Sequence, residues 1–308
     1  MQIGANGTPA ALLPRYERPR EEVLPPVATG PYVPFQEAAA AIAASRLSPG
    51  ARALLSGLLR LGAVKNFPGG GIGIEYGSLL KTAARPEYIG AHIAEAAAHL
   101  SEARVDLLLV PGMSGYPVGS MYALASGLPA VLLKKGRVPP EGVPAASFPP
   151  GAFVIPSYTG EGDVVISADL DAVQDIVDGI VGPQLTAQYG EPHPTLSLRA
   201  AGADDIIDKA TMSRAVGESA VAVGRAAIDN FVHRHRMATG DERPIAARVD
   251  VVAWVTPLIK GYNRPHEHLA RAFGIRPFAG INVTGVQLQP PAIGVEGVGL
   301  LGFATGGS

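Results

Sequence analysis

The run Val105-Asp106-Leu107-Leu108-Leu109-Val110 limits the possible folds more than any other stretch of this chain. A strand this apolar needs cover on both faces, which is the condition of a parallel strand inside an α/β sheet. It ends in Pro111-Gly112-Met113-Ser114-Gly115-Tyr116. A helix over residues 118–126 follows, then a second apolar strand over 128–133 and a basic turn, Lys134-Lys135-Gly136-Arg137-Val138-Pro139. Strand, helix and strand in that order make a β-α-β unit. The turns that follow its strands sit where open α/β sheets bind ligands.

The remaining chain fits around this unit. Residues 1–34 are rich in Pro, Gly, Arg and Glu and read as an extended arm wrapping the body or a partner subunit. Helices are expected over 35–44, 51–61 and 87–100 from apolar residues at helical spacing. A glycine-rich segment, residues 64–76, lies between the second and third of these. Residues 153–166 hold a Ser-Tyr pair, a glycine-acid stretch and an apolar strand. A helix over 169–181 should stop at Gly182-Pro183, and residues 195–203 alternate as a strand. Later expectations are a helix over 212–225, a strand over 248–255, a helix over 265–273 and a last strand over 275–283. Residues 286–308 form an apolar, glycine-rich tail without clear periodicity.

Composition narrows the function classes. The 308 residues are 47% hydrophobic and 17% charged, enough to bury a sizeable core. A net charge of −2 and the absence of a basic face on the first two helices argue against nucleic acid. No run is long and apolar enough for a membrane. There are no cysteines, which excludes disulfides, thiolate metal sites and a cysteine nucleophile. Without an apolar leader, the cytoplasm is the default location. His233, His235, His266 and His268 form two His-x-His pairs. Their neighbours are charged, and exposed side chains are expected rather than a zinc site.

Residues 203–216 concentrate the chemistry: an acidic pair, a short apolar run, a polar turn and a helix start. Asp204 and Asp205 can hold two sugar hydroxyls, or a metal that bridges them. The helix opening at 208–213 offers backbone N–H groups and a positive dipole end to a phosphate. Asp175-Ile176-Val177-Asp178 is a weaker rival, mid-helix and without adjacent acids.

This stretch resembles the phosphoribosyl-pyrophosphate (PRPP) loop of type I phosphoribosyltransferases. The order of the other motifs is similar to that of adenine phosphoribosyltransferases. Phe67-Pro68 with Gly71-Ile72, then Leu79-Leu80 and Arg85-Pro86-Glu87, looks like the segment under that family's base pocket. The resemblance covers residues 64–283. It implies an open, mostly parallel α/β sheet with helices on both faces. An N-terminal helical extension (1–61) would precede a domain over 62–285, with insertions near 169–194 and 229–246, and the tail over 286–308.

The resemblance implies transfer of ribose 5-phosphate from PRPP to a nitrogen acceptor, with Mg²⁺ and a homodimer. PRPP would be bound by Asp204, Asp205, Lys209, Ala210, Thr211, Met212 and Ser213, by Met113, Ser114 and Gly115, and by Lys134, Lys135 and Arg137. Asp204 and Asp205 would also hold the metal. Phe67, Ile72, Tyr116 and Tyr158 would line the acceptor. Glu161 in a closing loop and Asp208 would act as acid or base. Two departures stand out. Gly112 and Ser114 occupy places where the family carries an acid and an arginine, and Ala210 replaces a turn glycine. They favour an unusual acceptor over adenine salvage. A non-catalytic PRPP-binding regulator is the third alternative.

Overall fold

A computed structural model describes residues 12–17, 25–66, 72–80, 84–138, 144–156 and 162–304. In chain order the elements begin with β1 (Tyr32–Val33), α1 (Phe35–Ala44), α2 (Pro49–Leu61), β2 (Ala63–Asn66) and β3 (Ile72–Glu75). Next come α3 (Gly77–Leu80), α4 (Pro86–Glu102), β4 (Leu107–Pro111), α5 (Gly112–Ser126) and β5 (Ala130–Arg137). The middle holds β6 (Phe153–Pro156), β7 (Asp163–Ser167), α6 (Leu170–Ala187), β8 (Thr195–Ala203), β9 (Ile206–Ile207) and α7 (Thr211–Thr239). The chain closes with β10 (Ala246–Lys260), α8 (Pro265–Phe273), β11 (Phe278–Leu288), β12 (Pro291–Val295) and β13 (Gly299–Gly302).

Five parallel strands, β5-β4-β8-β10-β11, form the centre of an 11-stranded sheet. Antiparallel β7 and β6 extend one side, and antiparallel β12 and β13 the other. Successive side chains of a strand point to opposite faces. Leu108 and Val110 accordingly join a core built with α1 to α5, while Leu107 and Leu109 join a second core with α6 to α8. The expected α/β class, with helices on both faces of a mostly parallel sheet, is what the chain adopts.

The α2 helix shows how local and tertiary signals combine. Ser48 accepts the Ala51 N–H at 3.1 Å and donates to Glu95 at 2.7 Å, and Pro49 sits at the first helical position. The helix therefore starts two residues before the expected 51. A Cβ at Gly50 would lie 2.7 Å from the His92 backbone, so glycine lets α2 approach α4. Ser48→Ala is expected to cost about 1 kcal/mol, read from the urea midpoint.

Several expected boundaries move, each because packing outweighs a local signal. The α6 helix runs through Gly182-Pro183 to Ala187. Val173, Val177, Val181 and Leu185 form a continuous buried stripe across that pair. The α7 helix continues past 225 to Thr239, into the stretch expected as an insertion near 229–246. The Gly112 turn is already the first turn of α5. The expected basic turn is instead the end of β5, drawn out by pairing with β7 at Lys134↔Ser167 to Arg137↔Val164. The tail supplies β12 and β13 rather than an irregular cover. The described parts of the arm, residues 12–17 and 25–34, pack on this chain's own body. Tyr16 N–H reaches Val154 O and Val154 N–H reaches Pro14 O, both at 2.9 Å, and β1 pairs with β13.

Candidate active site

In chain order the five central strands are arranged second, first, third, fourth, fifth, so the sheet changes winding direction between β4 and β8. Ligands of open α/β sheets bind beyond the strand C-termini at that point. The residues there are Gly112 to Gly115 after β4 and Asp204-Asp205 after β8.

These two segments touch. A Cβ at Gly115 would lie 2.8 Å from Asp204 Oδ1, so the α5 backbone closes on the Asp204 carboxylate. Gly112 takes a left-handed φ of +51°, and the Lys135 side chain fills the space beside it, 2.8 Å from where a Cβ would stand. Asp204 Oδ1 accepts the Asp205 N–H at 2.8 Å. The Tyr76 hydroxyl, at the end of β3, donates to Asp205 Oδ2 at 3.0 Å. Both acids are buried, at 7% and 1% exposure.

Under the pair lies Tyr122 of α5, fully buried, its hydroxyl pushed to a higher pKa first by burial and then by Asp204 and Asp205. It bonds His92 Nε2 of α4 at 2.8 Å. Burial holds the His92 pKa down at about 4, with Glu95 pulling it upward, so the ring is neutral at pH 7.

Asp208 faces the end of β10. Its carboxylate receives Lys260 Nζ at 2.8 Å and the Asn263 side-chain amide. Burial, then Asp208, pushes the Tyr262 hydroxyl up. Ala210, the N-cap of α7, keeps a left-handed φ of 59°. The turn geometry expected of glycine thus survives its replacement, at a strain of about 1 kcal/mol. Arg214 N–H closes the first helical bond on Ala210 O at 2.8 Å. Thr211 is half-buried, Ser213 is buried, and Met212 packs into the α6–α8 core, leaving its backbone as its contribution to a ligand. Lys209 is half-buried beside this turn.

The other predicted residues that the structure describes lie on β3, α5 and β5. Lys134 pairs with Asp169 at 2.7 Å, and that hydrogen bond raises the Lys134 pKa. Tyr116 lies near Lys134 and donates to Leu133 O, and burial raises its hydroxyl pKa. Met113 is 74% exposed, Ser114 is half-buried, and Lys135 and Arg137 are exposed on β5. Ile72 packs against the α1–α5 core. Phe67, Tyr158 and Glu161 lie outside the described residues. Sequence reasoning missed Tyr76, His92, Tyr122, Lys260 and Asn263 as site residues. Tyr76 meets Asp205 across 129 positions, and no local pattern marks such a partner. Among the described residues, no group of three or more His, Cys, Asp or Glu could hold a metal ion, and no helix is long and apolar enough to cross a membrane.

No protein-family model matches the chain, and no curated protein matches it. Among solved structures it is similar to the APRTase from Giardia lamblia complexed with 9-deazaadenine. Identity is 13% and the TM-score 0.42, over 70% of this chain and 92% of that one. It is similar to adenine phosphoribosyltransferase from Rhodothermus marinus at 14% identity and TM-score 0.42, over 75% and 97% of the two chains. The enzyme from Saccharomyces cerevisiae gives 16% identity and TM-score 0.38, over 75% and 98%. At these values the likeness carries no functional argument.

Proposed function

We propose that this protein is a phosphoribosyltransferase that moves ribose 5-phosphate from PRPP to a nitrogen acceptor and releases pyrophosphate. The observation that carries the reading is the meeting at the C-terminal ends of β4 and β8: Asp204 against Gly115, with Lys135 against Gly112. Acids suited to sugar hydroxyls and a lysine suited to phosphate lie at the one point where this sheet topology favours a ligand. In the reaction the C1–O bond to pyrophosphate breaks, a C1–N bond forms, and the acceptor nitrogen loses a proton. The transition state resembles an oxocarbenium ion, so the chain's task is to orient both partners and to stabilise the leaving group.

Asp204 and Asp205 take the ribose hydroxyls in this scheme. Lys134, Lys135 and Arg137 meet the departing pyrophosphate, and the opening turn of α7, with Lys209, meets the 5-phosphate. The donor chemistry fits Mg²⁺, which is usually bound through one or two carboxylates together with substrate phosphates rather than in an all-protein cage. Asp204 and Asp205 would hold it, and it would offset charge on the departing pyrophosphate. The absence of a charged pair at Gly112 and Ser114 supports an acceptor other than adenine.

The test is incubation with PRPP, Mg²⁺ and a panel of purines, other bases and amines, following pyrophosphate. Release with one acceptor is expected. No release with any acceptor but tight PRPP binding would make the protein a PRPP-binding regulator, and neither release nor binding ends the reading. Asp204→Asn combined with Asp205→Asn is expected to weaken PRPP binding at least about 100-fold, two charge-assisted contacts being lost. Unchanged binding would remove the site assignment.

A further inference from the structure

Tyr76 closes the glycine-rich segment 64–76 but is not among the residues that suggested the site. It follows β3, which among the described residues pairs with β2 in a two-stranded sheet separate from the main one. Its ring is buried at 7% exposure within the α1–α5 core, and its carbonyl starts α3 by accepting Leu79 N–H at 2.9 Å. The backbone of this residue is therefore fixed, and the phenol is aimed inward with little freedom. Its hydroxyl ends 3.0 Å from Asp205 Oδ2. Asp205 is only 1% exposed, and a carboxylate that far from water depends on donors for its orientation.

We infer that Tyr76 is a positioning residue of the sugar subsite, holding the Asp205 carboxylate for a ribose hydroxyl. This rests on the phosphoribosyl-transfer reading. A carboxylate accepts about four hydrogen bonds, so a phenol and a sugar hydroxyl can share one such group. Asp204 is oriented from the other side, through the Asp205 N–H on its Oδ1 and the close backbone at Gly115. The Tyr76 hydroxyl thus supports Asp205 from the end of β3, a strand outside the main sheet. Removing the phenol oxygen keeps the ring and takes away the hydroxyl that donates to Asp205.

The experiment compares Tyr76→Phe with the wild type in calorimetric binding of PRPP with Mg²⁺, and of ribose 5-phosphate and pyrophosphate without added metal. A positioning role predicts about tenfold weaker PRPP and ribose 5-phosphate binding with pyrophosphate binding unchanged, since pyrophosphate has no ribose hydroxyls. Tyr76→Met, which also lacks the hydroxyl but keeps an apolar side chain in the core, is expected to show the same selective loss and serves as the test variant if Tyr76→Phe does not fold. Equal weakening of all three ligands would make Tyr76 merely structural and overturn the inference. Unchanged or tighter sugar binding would overturn it too, the second result making Tyr76 a competitor for the carboxylate. If the wild type binds pyrophosphate but neither sugar phosphate, the function reading falls first and the inference with it.

Discussion

Gly202→Ala is expected to destabilise the protein by about 3 kcal/mol, the upper end of the range for overpacked cores. Gly202 of β8 lies directly opposite Trp254 of β10 in the parallel pair, and the indole ring covers it. A Cβ there would stand 2.1 Å from Trp254 Cζ3. The indole is fully buried, so it has no open space to retreat into. Cores are packed as tightly as organic crystals, and a methyl group at that distance forces the ring or the strand to move. Trp254→Ala should cost a similar or larger amount, about 3–5 kcal/mol, through the cavity it leaves. The two changes should be strongly non-additive, because removing the ring makes room for the methyl. Urea unfolding of both single variants and the double variant measures this. A Gly202→Ala midpoint equal to the wild type would show that the ring does not block the site.

The second large effect is acid sensitivity through His92. In the folded chain its pKa is lowered from 6.5 to about 4, by burial first, with Glu95 opposing. In the unfolded chain the ring takes its proton near the ordinary value. Between these two values the unfolded state binds a proton that the folded state refuses. The stability contributed by neutral His92 is therefore complete above pH 6.5 and is lost as pH falls from 6.5 towards 4. At about 1.4 kcal/mol per pH unit, the loss is on the order of 3 kcal/mol. Of the neighbours facing the ring, the Tyr122 hydroxyl and stacked Phe278 carry no charge in this window, and the Glu95 carboxylate offsets burial only in part. His92→Gln should flatten the dependence of the urea midpoint on pH across that window. An unchanged slope would assign the acid sensitivity to other groups.

Much of the architecture was legible locally. Strand β8 spans the expected residues 195–203, and α1 and α8 match their expected ranges, because apolar period and punctuation by Pro and Gly act over a few residues. The failures are equally local in origin. Gly182-Pro183 is a strong stop signal, yet the buried stripe from Val173 to Leu185 carries α6 across it. Lys134 to Arg137 look like a solvated turn, yet pairing with β7 makes them strand. The tail lacks a clear period, yet β11 offers an edge, and pairing with it makes Ala292 and Ile293 fully buried.

The sequence by itself determined the α/β class, the acidic pair at the end of a parallel strand and the helix start that follows it. Runs, periods and caps are set by neighbours along the chain, so these features need no knowledge of distant residues. Only the tertiary structure decided the strand order that makes β4 and β8 adjacent at the change of winding. It also decided the burial of both acids, the contact of Gly115 with Asp204, and the Tyr76 hydroxyl on Asp205. The physical reason is distance along the chain. A hydroxyl and a carboxylate 129 residues apart carry no shared pattern, and they find each other only when the sheet and its helices have closed around them.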